Sequence, residues 1–310
     1  MANNNLRKGI LFAFLTSIIS GIAIFYSKIS VAKINPLVLT TSRNLYVGIL
    51  FIILFFLSKR WKELKKLKRS QWLTLIFIGL IGGWLPFYLF FTGLQFTQAI
   101  TANLIHKTLF IWVTILAVIF LGEKLNFNYL ISFLFIVFAN FYFTKPSLAL
   151  GKGEVMILTA TLLWSIENII AKKVLKSVSS ELVGLFRMGI GALLLSFTAI
   201  FSGKASLLLT INNQQLTIII IGGTILFFYV FTWYKALKFA PASLVTLILS
   251  FAVVVGNILN GSIAGVKFLP KDFYSSLLIG VAMLFILSHS GLSRIYSRLW
   301  MRFKNHRLPE

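Results

Sequence analysis

Two ionisable residues stand side by side in an otherwise apolar run, TANLIHKTLFIWVTILAVIFLGEKL (101–125), at His106 and Lys107. A carboxylate interrupts a second run, TATLLWSIENIIAKK (159–173), at Glu167, next to Asn168. At helical spacing Asn103, Lys107, Ile111 and Thr114 share one stripe, and Trp164, Glu167 and Asn168 share one face. A cation and a carboxylate set in apolar surroundings can meet opposite charges on a small solute, or neutralise each other, and a carboxylate can carry a proton. The residues for most other chemistry are missing. The chain has no cysteine, one aspartate (Asp272) and six scattered glutamates, which leaves no thiolate or clustered-carboxylate metal site. GKGEV lacks the spacing of a phosphate-binding loop. No catalytic residue, metal or cofactor is expected, and an enzyme or a channel is the weaker alternative.

The elements that must hold these residues are membrane spans. Of 310 residues 58% are hydrophobic and 12% charged, with a mean hydropathy of +0.91, against about 25% charged in soluble domains. Ten apolar runs of the length a bilayer needs lie near 9–29, 36–57, 72–94, 99–121, 127–144, 154–175, 181–202, 216–238, 241–264 and 272–290. QFTQ and KFAP leave room only for tight hairpins, with Pro241 suited to a first helical turn. The first run is expected to be an uncleaved helix rather than a signal peptide.

The net charge of +23 reads as a topology signal, not as a nucleic-acid footprint. With the N-terminus in the cytoplasm, 20 Lys and Arg residues fall on the cytoplasmic side, seven of them in SKRWKELKKLKRS, and 7 fall outside. Both termini, including a basic tail over 291–310, are therefore expected in the cytoplasm, in the plasma (inner) membrane.

The chain also repeats itself. ISVAKINPLVLTTSRNLYVGILF lies over SVSSELVGLFRMGIGALLLSF at an offset of 144, pairing Arg43 with Arg187 and Lys28 with Lys172. GLQFTQA lies over ALKFAPA, and GEKLNF over GVKFLP, at an offset of 143. Units of five helices, 1–150 and 151–290, would enter the membrane from opposite sides: an all-α fold of ten transmembrane helices built as two inverted repeats. These features resemble the drug/metabolite transporter superfamily, in its EamA-like branch. The resemblance covers about residues 9 to 290 and departs at Val266, which replaces the acid of the second GE motif. It implies a ten-helix carrier with both termini cytoplasmic, exporting amino acids, other metabolites or drugs; with no segment large enough for a nucleotide-binding domain the carrier is expected to be secondary, a monomer or homodimer. Uptake by the same fold is the alternative, and either proton coupling or facilitated movement fits the absence of ATP machinery.

Lys107 lies about 12 Å along its helix at about 1.5 Å per residue, near the midplane. Such a lysine costs about 2.5 to 3.5 kcal/mol to insert, so it must face the bundle or a wet cavity. Two readings stand: one arm of a structural ion pair with Glu167, or the wall of a substrate path. His106, about 100° round the helix, is not expected to point at the same cavity centre. Glu167 either handles substrate or protons or pairs with Lys107 or Arg187. Arg43 and Arg187, near helix starts, are expected to snorkel and to set gate geometry, and Lys28 and Lys172 to anchor the interface. Trp84, Tyr88, Trp233 and Asn257 are further expected wall residues, beside GGWLPFY, FFYVFTWY and a ninth-helix face of Ser243, Thr246, Ser250 and Asn257.

Overall fold

A computed structural model describes residues 2–97, 99–141, 151–263, 265 and 269–289; at Ala2, Asn3, Lys28, Ala99, Ile100, Asn103 and His289 it describes the backbone alone. Val266 and the tail over 291–310 lie outside these residues. Every regular element among the described residues is helical. In chain order they are α1 (Ala2–Val31), α2 (Pro36–Leu57), α3 (Trp61–Leu64), α4 (Arg69–Ile78), α5 (Leu85–Gly93), α6 (Ala99–Lys107), α7 (Leu109–Leu121), α8 (Phe127–Phe141), α9 (Lys152–Val174), α10 (Ser180–Phe201), α11 (Ala205–Leu209), α12 (Asn213–Phe239), α13 (Ala242–Leu249), α14 (Ala252–Ser262) and α15 (Pro270–His289). Nine of the described helical stretches are long and apolar enough to cross a membrane, and α8 is a shorter apolar helix. The chain is thus a multi-pass membrane protein, since only a helix satisfies its own backbone in lipid.

The ends of the helices are written locally. Asn35 caps α2, its side chain accepting from Leu37 N at 3.1 Å ahead of Pro36. Ser179 caps α10, and Asn212 with Gln215 forms a capping box on α12. Pro241 takes the N-cap position of α13, one residue before the first turn in which it was expected.

Packing follows a reciprocal rule. α1 lies against α12, α13 and α14, while α9 lies against α5, α6 and α7. α2 packs on α10, and α8 on α15. The first helix of each unit is therefore held by the third and fourth spans of the other, second packs on second, and fifth on fifth. Outward faces stay apolar, with Phe201 87% and Phe127 75% exposed. Inside, single polar bonds tie helices whose apolar surfaces gain little over lipid. Trp84 Nε1 donates to Thr198 Oγ1 at 2.9 Å, and Ser132 Oγ to the Ala282 carbonyl at 2.9 Å.

Three spans are irregular. Between α4 and α5 the segment Gly79–Trp84 winds as a π-helix, with Pro86 just inside α5. It lies against α10 at backbone distance: a Cβ added to Gly83 would stand 1.8 Å from the Arg187 carbonyl, and one on Gly191 would stand 2.4 Å from that of Gly83. The fourth span of each unit is broken, at Thr108 between α6 and α7 and at Ser250 and Phe251 between α13 and α14. Thr108 and Phe251 are 143 residues apart, so the two breaks are related by the repeat.

Candidate functional site

At both breaks the backbone tightens to i−3 bonding. Thr108 N bonds Ile105 O and Ile111 N bonds Thr108 O; Ser250 N bonds Leu247 O and Val253 N bonds Ser250 O. A cavity of about 100 Å³ opens between the two breaks. Its walls include Ser20 from α1, His106 and Lys107 from the end of α6, Asn140 from α8, and Thr246, Ser250, Asn257 and Asn260 from the broken ninth span. His106 and Lys107 both line it, against the expectation from a regular helix. The break ends α6 at Lys107, so that the cavity wraps round a helix end rather than one face.

Lys107 is not paired with Glu167. The ion pairs found among the described residues are Arg187 with Glu167 and Lys235 with Glu181, and no described carboxylate lies within 4.0 Å of Lys107 Nζ. The charge that reaches Lys107 is the more distant Asp272, in the first turn of α15. His106 stands edge-on to Trp164 with centroids 5.1 Å apart, and its Nδ1 has no partner. The stripe of Asn103, Lys107, Ile111 and Thr114 is interrupted by the break. Thr114 is buried in α7, Ile111 packs on the core, and the Asn103 side chain lies outside what is described.

Glu167 belongs to a second, drier cluster. Fully buried, it accepts a 2.6 Å bond from Tyr234 Oη at Oε1, and its Oε2 has no hydrogen-bond partner 4.0 Å from Arg187 Nη1. Arg187 Nε donates to the Gly82 carbonyl at 3.2 Å, and Trp164 Nε1 donates to the same oxygen at 3.0 Å. Arg187 also lies over the Tyr234 ring at 5.7 Å. Trp233 Nε1 donates to Asn168 Oδ1 at 2.8 Å, with Tyr229 stacked on Trp233. Trp164 thus joins the two sites, bonded to the carbonyl that holds Arg187 and in contact with the histidine of the cavity wall.

Arg43 and Arg187 do not snorkel; each is 6% exposed. Arg43 Nη1 donates to Ser27 Oγ at 3.3 Å, and each guanidinium faces the bundle because interior acceptors on α1 or the π-helix meet it there. Lys172, expected to anchor the interface, is half-buried and tied to a neighbouring hairpin. Its Nζ donates to the carbonyls of Leu237 and Ala240 at 2.6 and 2.7 Å, acceptors that the end of α12 leaves open. The amides on the other side of that hairpin are held by Glu123, whose oxygens accept from Ala242 N at 2.7 Å, Ser243 N at 3.0 Å and the Ser243 hydroxyl. Trp84 and Tyr88 pack against the apolar core, and with Trp233 they lie outside the cavity walls. Tyr234, the Gly82 carbonyl, Asn140 and Asn260 have no sequence signal that marks them. Each is one polar group in an apolar helix; Tyr234 and the Gly82 carbonyl gain significance from Glu167 and Arg187 on distant segments, and Asn140 and Asn260 from their place on the cavity wall.

Paired spans with repeat-related breaks round a cavity are an architecture that secondary transporters use. The EamA-like transporter family matches the chain twice, over residues 7–144 and 151–288, and the chain belongs to that family. It is 24% identical over 295 residues to "Uncharacterized transporter YyaM" of Bacillus subtilis (strain 168), covering 90% of this chain and 92% of the relative. It is 28% identical over 187 residues to "Uncharacterized transporter YoaV" of the same organism, covering 58% and 62%. A solved crystal structure at 16% identity superposes with a TM-score of 0.73 over 91% of this chain and 96% of its own, a likeness of fold alone.

Proposed function

We propose that the chain is a secondary carrier of small metabolites bearing a carboxylate, amino acids or related acids, working by alternating access in the export direction. The observation that carries this reading is a lysine with no described carboxylate within 4.0 Å, in a cavity of mixed polar and apolar lining between two repeat-related helix breaks. A half-buried cation whose counter-charge, Asp272, lies farther off is costly, and an anionic group on a solute would supply a closer one. The reciprocal packing of the units supports inverted repeats that rock about the cavity, and the division of basic residues supports cytoplasmic termini. Proton coupling falls to Glu167, whose Oε2 has no hydrogen-bond partner.

Lys107→Met keeps apolar bulk while removing the charge, so it relieves a burial cost and leaves expression intact. Solute exchange by the purified variant in proteoliposomes, screened with amino acids and organic acids, is expected to fall at least tenfold. Because Glu167 pairs with Arg187, adding Glu167→Gln is not expected to restore it. Full exchange by the double variant would return Lys107 to the role of a charge neutraliser and remove it from the substrate path.

A further inference from the structure

We propose that the turn around α3 binds the anionic headgroups of phospholipids in the cytoplasmic leaflet, a partner that the carrier reading does not involve. Residues 58–70 carry seven basic side chains, from Lys59 to Arg69, and all seven are exposed. None forms an ion pair with a described carboxylate. Glu63, the one acid of the segment, is turned inward: its Oε1 accepts from Ser179 N, at the N-cap of α10, at 2.7 Å, and its Oε2 is buried. Backbone bonds fold the segment tightly, Lys59 N to Phe56 O at 3.0 Å, Arg60 N to Phe55 O at 3.2 Å and Lys66 N to Glu63 O at 3.0 Å. Leu64 and Leu67 pack it onto the core. Like charges are thus held close together without ion-paired acids, a repulsion that bound anions relieve.

The second unit holds the same turn without the charges. At the offset of 144, residues 58–68 correspond to 202–212 and α3 to α11, on the opposite face in the proposed topology. The two backbones agree. The helix before each turn ends on a serine, Ser58 or Ser202, followed by a residue of left-handed φ, Lys59 at 54° and Gly203 at 67°. Gly203 N and Lys204 N repeat the two closing bonds, to Ile200 O at 3.0 Å and Ala199 O at 2.8 Å. Yet 202–212 holds one basic residue, Lys204, so the fold of the turn does not call for cations. Glycine takes a left-handed φ freely and lysine does not, and Lys59 is the one non-glycine residue of positive φ among those described. Topology asks for basic residues on this side, but not for one at a strained position. The surroundings suit lipid rather than a free anion. Phe56 and Leu57 leave apolar surface beside the turn, and Trp61 and Trp72, rings of a type that favours the membrane interface, are exposed on either side of it. Juxtamembrane basic clusters attract anionic lipid. A lipid phosphate reaches the cations while its own acyl chain meets Phe56 and Leu57, a second contact that free phosphate lacks.

The test uses the purified full-length chain in nanodiscs of phosphatidylcholine with a minor share of phosphatidylglycerol. The native chain has no cysteine, so Ser58→Cys and Ser202→Cys place a fluorophore at the repeat-related turns. Quenching is compared between phosphatidylglycerol and phosphatidylcholine carrying the same nitroxide high on an acyl chain. At position 58 phosphatidylglycerol is expected to quench as though enriched about fivefold or more, an excess that added salt reduces. At position 202 the two lipids should quench alike. Adding Lys59→Gly, which relieves the backbone, with Lys62→Gln and Lys65→Gln should remove most of the preference at position 58. Equal quenching by the two lipids there, or the same preference at both turns, overturns the proposal, and this comparison needs only the labelled chains. A preference that survives in the folded triple variant overturns it as well. So does one that glycerol phosphate in solution abolishes at equal excess, which would mark a site for free anions. None of these readouts involves transport, so the carrier reading stands or falls separately.

Discussion

Lys107 and Glu167 lie on different spans, and the structure gives them different company. The lysine looks into a cavity where amides and hydroxyls interrupt an apolar lining. The carboxylate sits with an arginine and a tyrosine and has one oxygen free of hydrogen bonds. Protonation of that oxygen would loosen its hold on Arg187, and Arg187 shares the Gly82 carbonyl with Trp164, which touches His106. On the proton-coupled reading, Glu167→Gln is expected to abolish stimulation of transport by a pH gradient while leaving solute exchange in place. The check is uptake into proteoliposomes with and without the gradient, and undiminished stimulation would reduce Glu167 to a structural residue. The residue types at this scale were legible because charge is scarce in an apolar chain. Their partners were not: Tyr234 and Glu167 are 67 positions apart, and nothing in FFYVFTWYK distinguishes Tyr234 from its aromatic neighbours.

The limits of the spans could be read from hydropathy and caps, as α2 shows, where the apolar run at 36–57 coincides with Pro36–Leu57. Their interruptions could not. No proline or glycine marks the breaks at Thr108 and at Ser250 and Phe251, so the continuous stripe expected through Lys107 fails there. The π-helical turn at Gly79–Trp84 brings its glycines against α10, and it sets a steric prediction. Gly83→Val would drive a side chain into the Arg187 carbonyl and should destabilise the protein by about 1–3 kcal/mol or more, read as a lowered melting temperature in detergent. The hairpin between α12 and α13 gives a second. Glu123 holds its amides and Lys172 its carbonyls, whereas the repeat counterpart of Glu123 is Val266, with no carboxylate to offer. Removing a cap costs about 1 kcal/mol, near a fivefold shift between two states. The native chain has no cysteine, so Ser250→Cys can report access to the cavity. Adding Glu123→Ala is expected to raise its labelling by an impermeant thiol reagent from the cytoplasmic side about fivefold; unchanged labelling would leave Glu123 as a cap without a part in gating.

For the whole molecule, the offsets of 143 and 144 announced two units, but an offset carries no information about which helix of one unit packs on which of the other. The bias of basic residues predicts that reporters placed after Arg7, within 59–69 and after Arg302 all report the cytoplasm; an external signal at either end would overturn the proposed orientation. The exchange of first helices bears on synthesis as well as on transport. α1 is complete about 180 residues before α12, the helix it packs against, begins. At about 5–20 residues per second it waits in the bilayer for roughly 10 to 40 s. Its hydroxyls suit that delay. Thr16 Oγ1 lies 2.7 Å from the Phe12 carbonyl and Ser17 Oγ 2.7 Å from that of Phe14, while Thr16 is also 2.8 Å from Thr232 on α12. The nascent helix can satisfy these polar groups on itself while it stands alone in lipid, and later offer one of them to a partner that has just emerged from the ribosome.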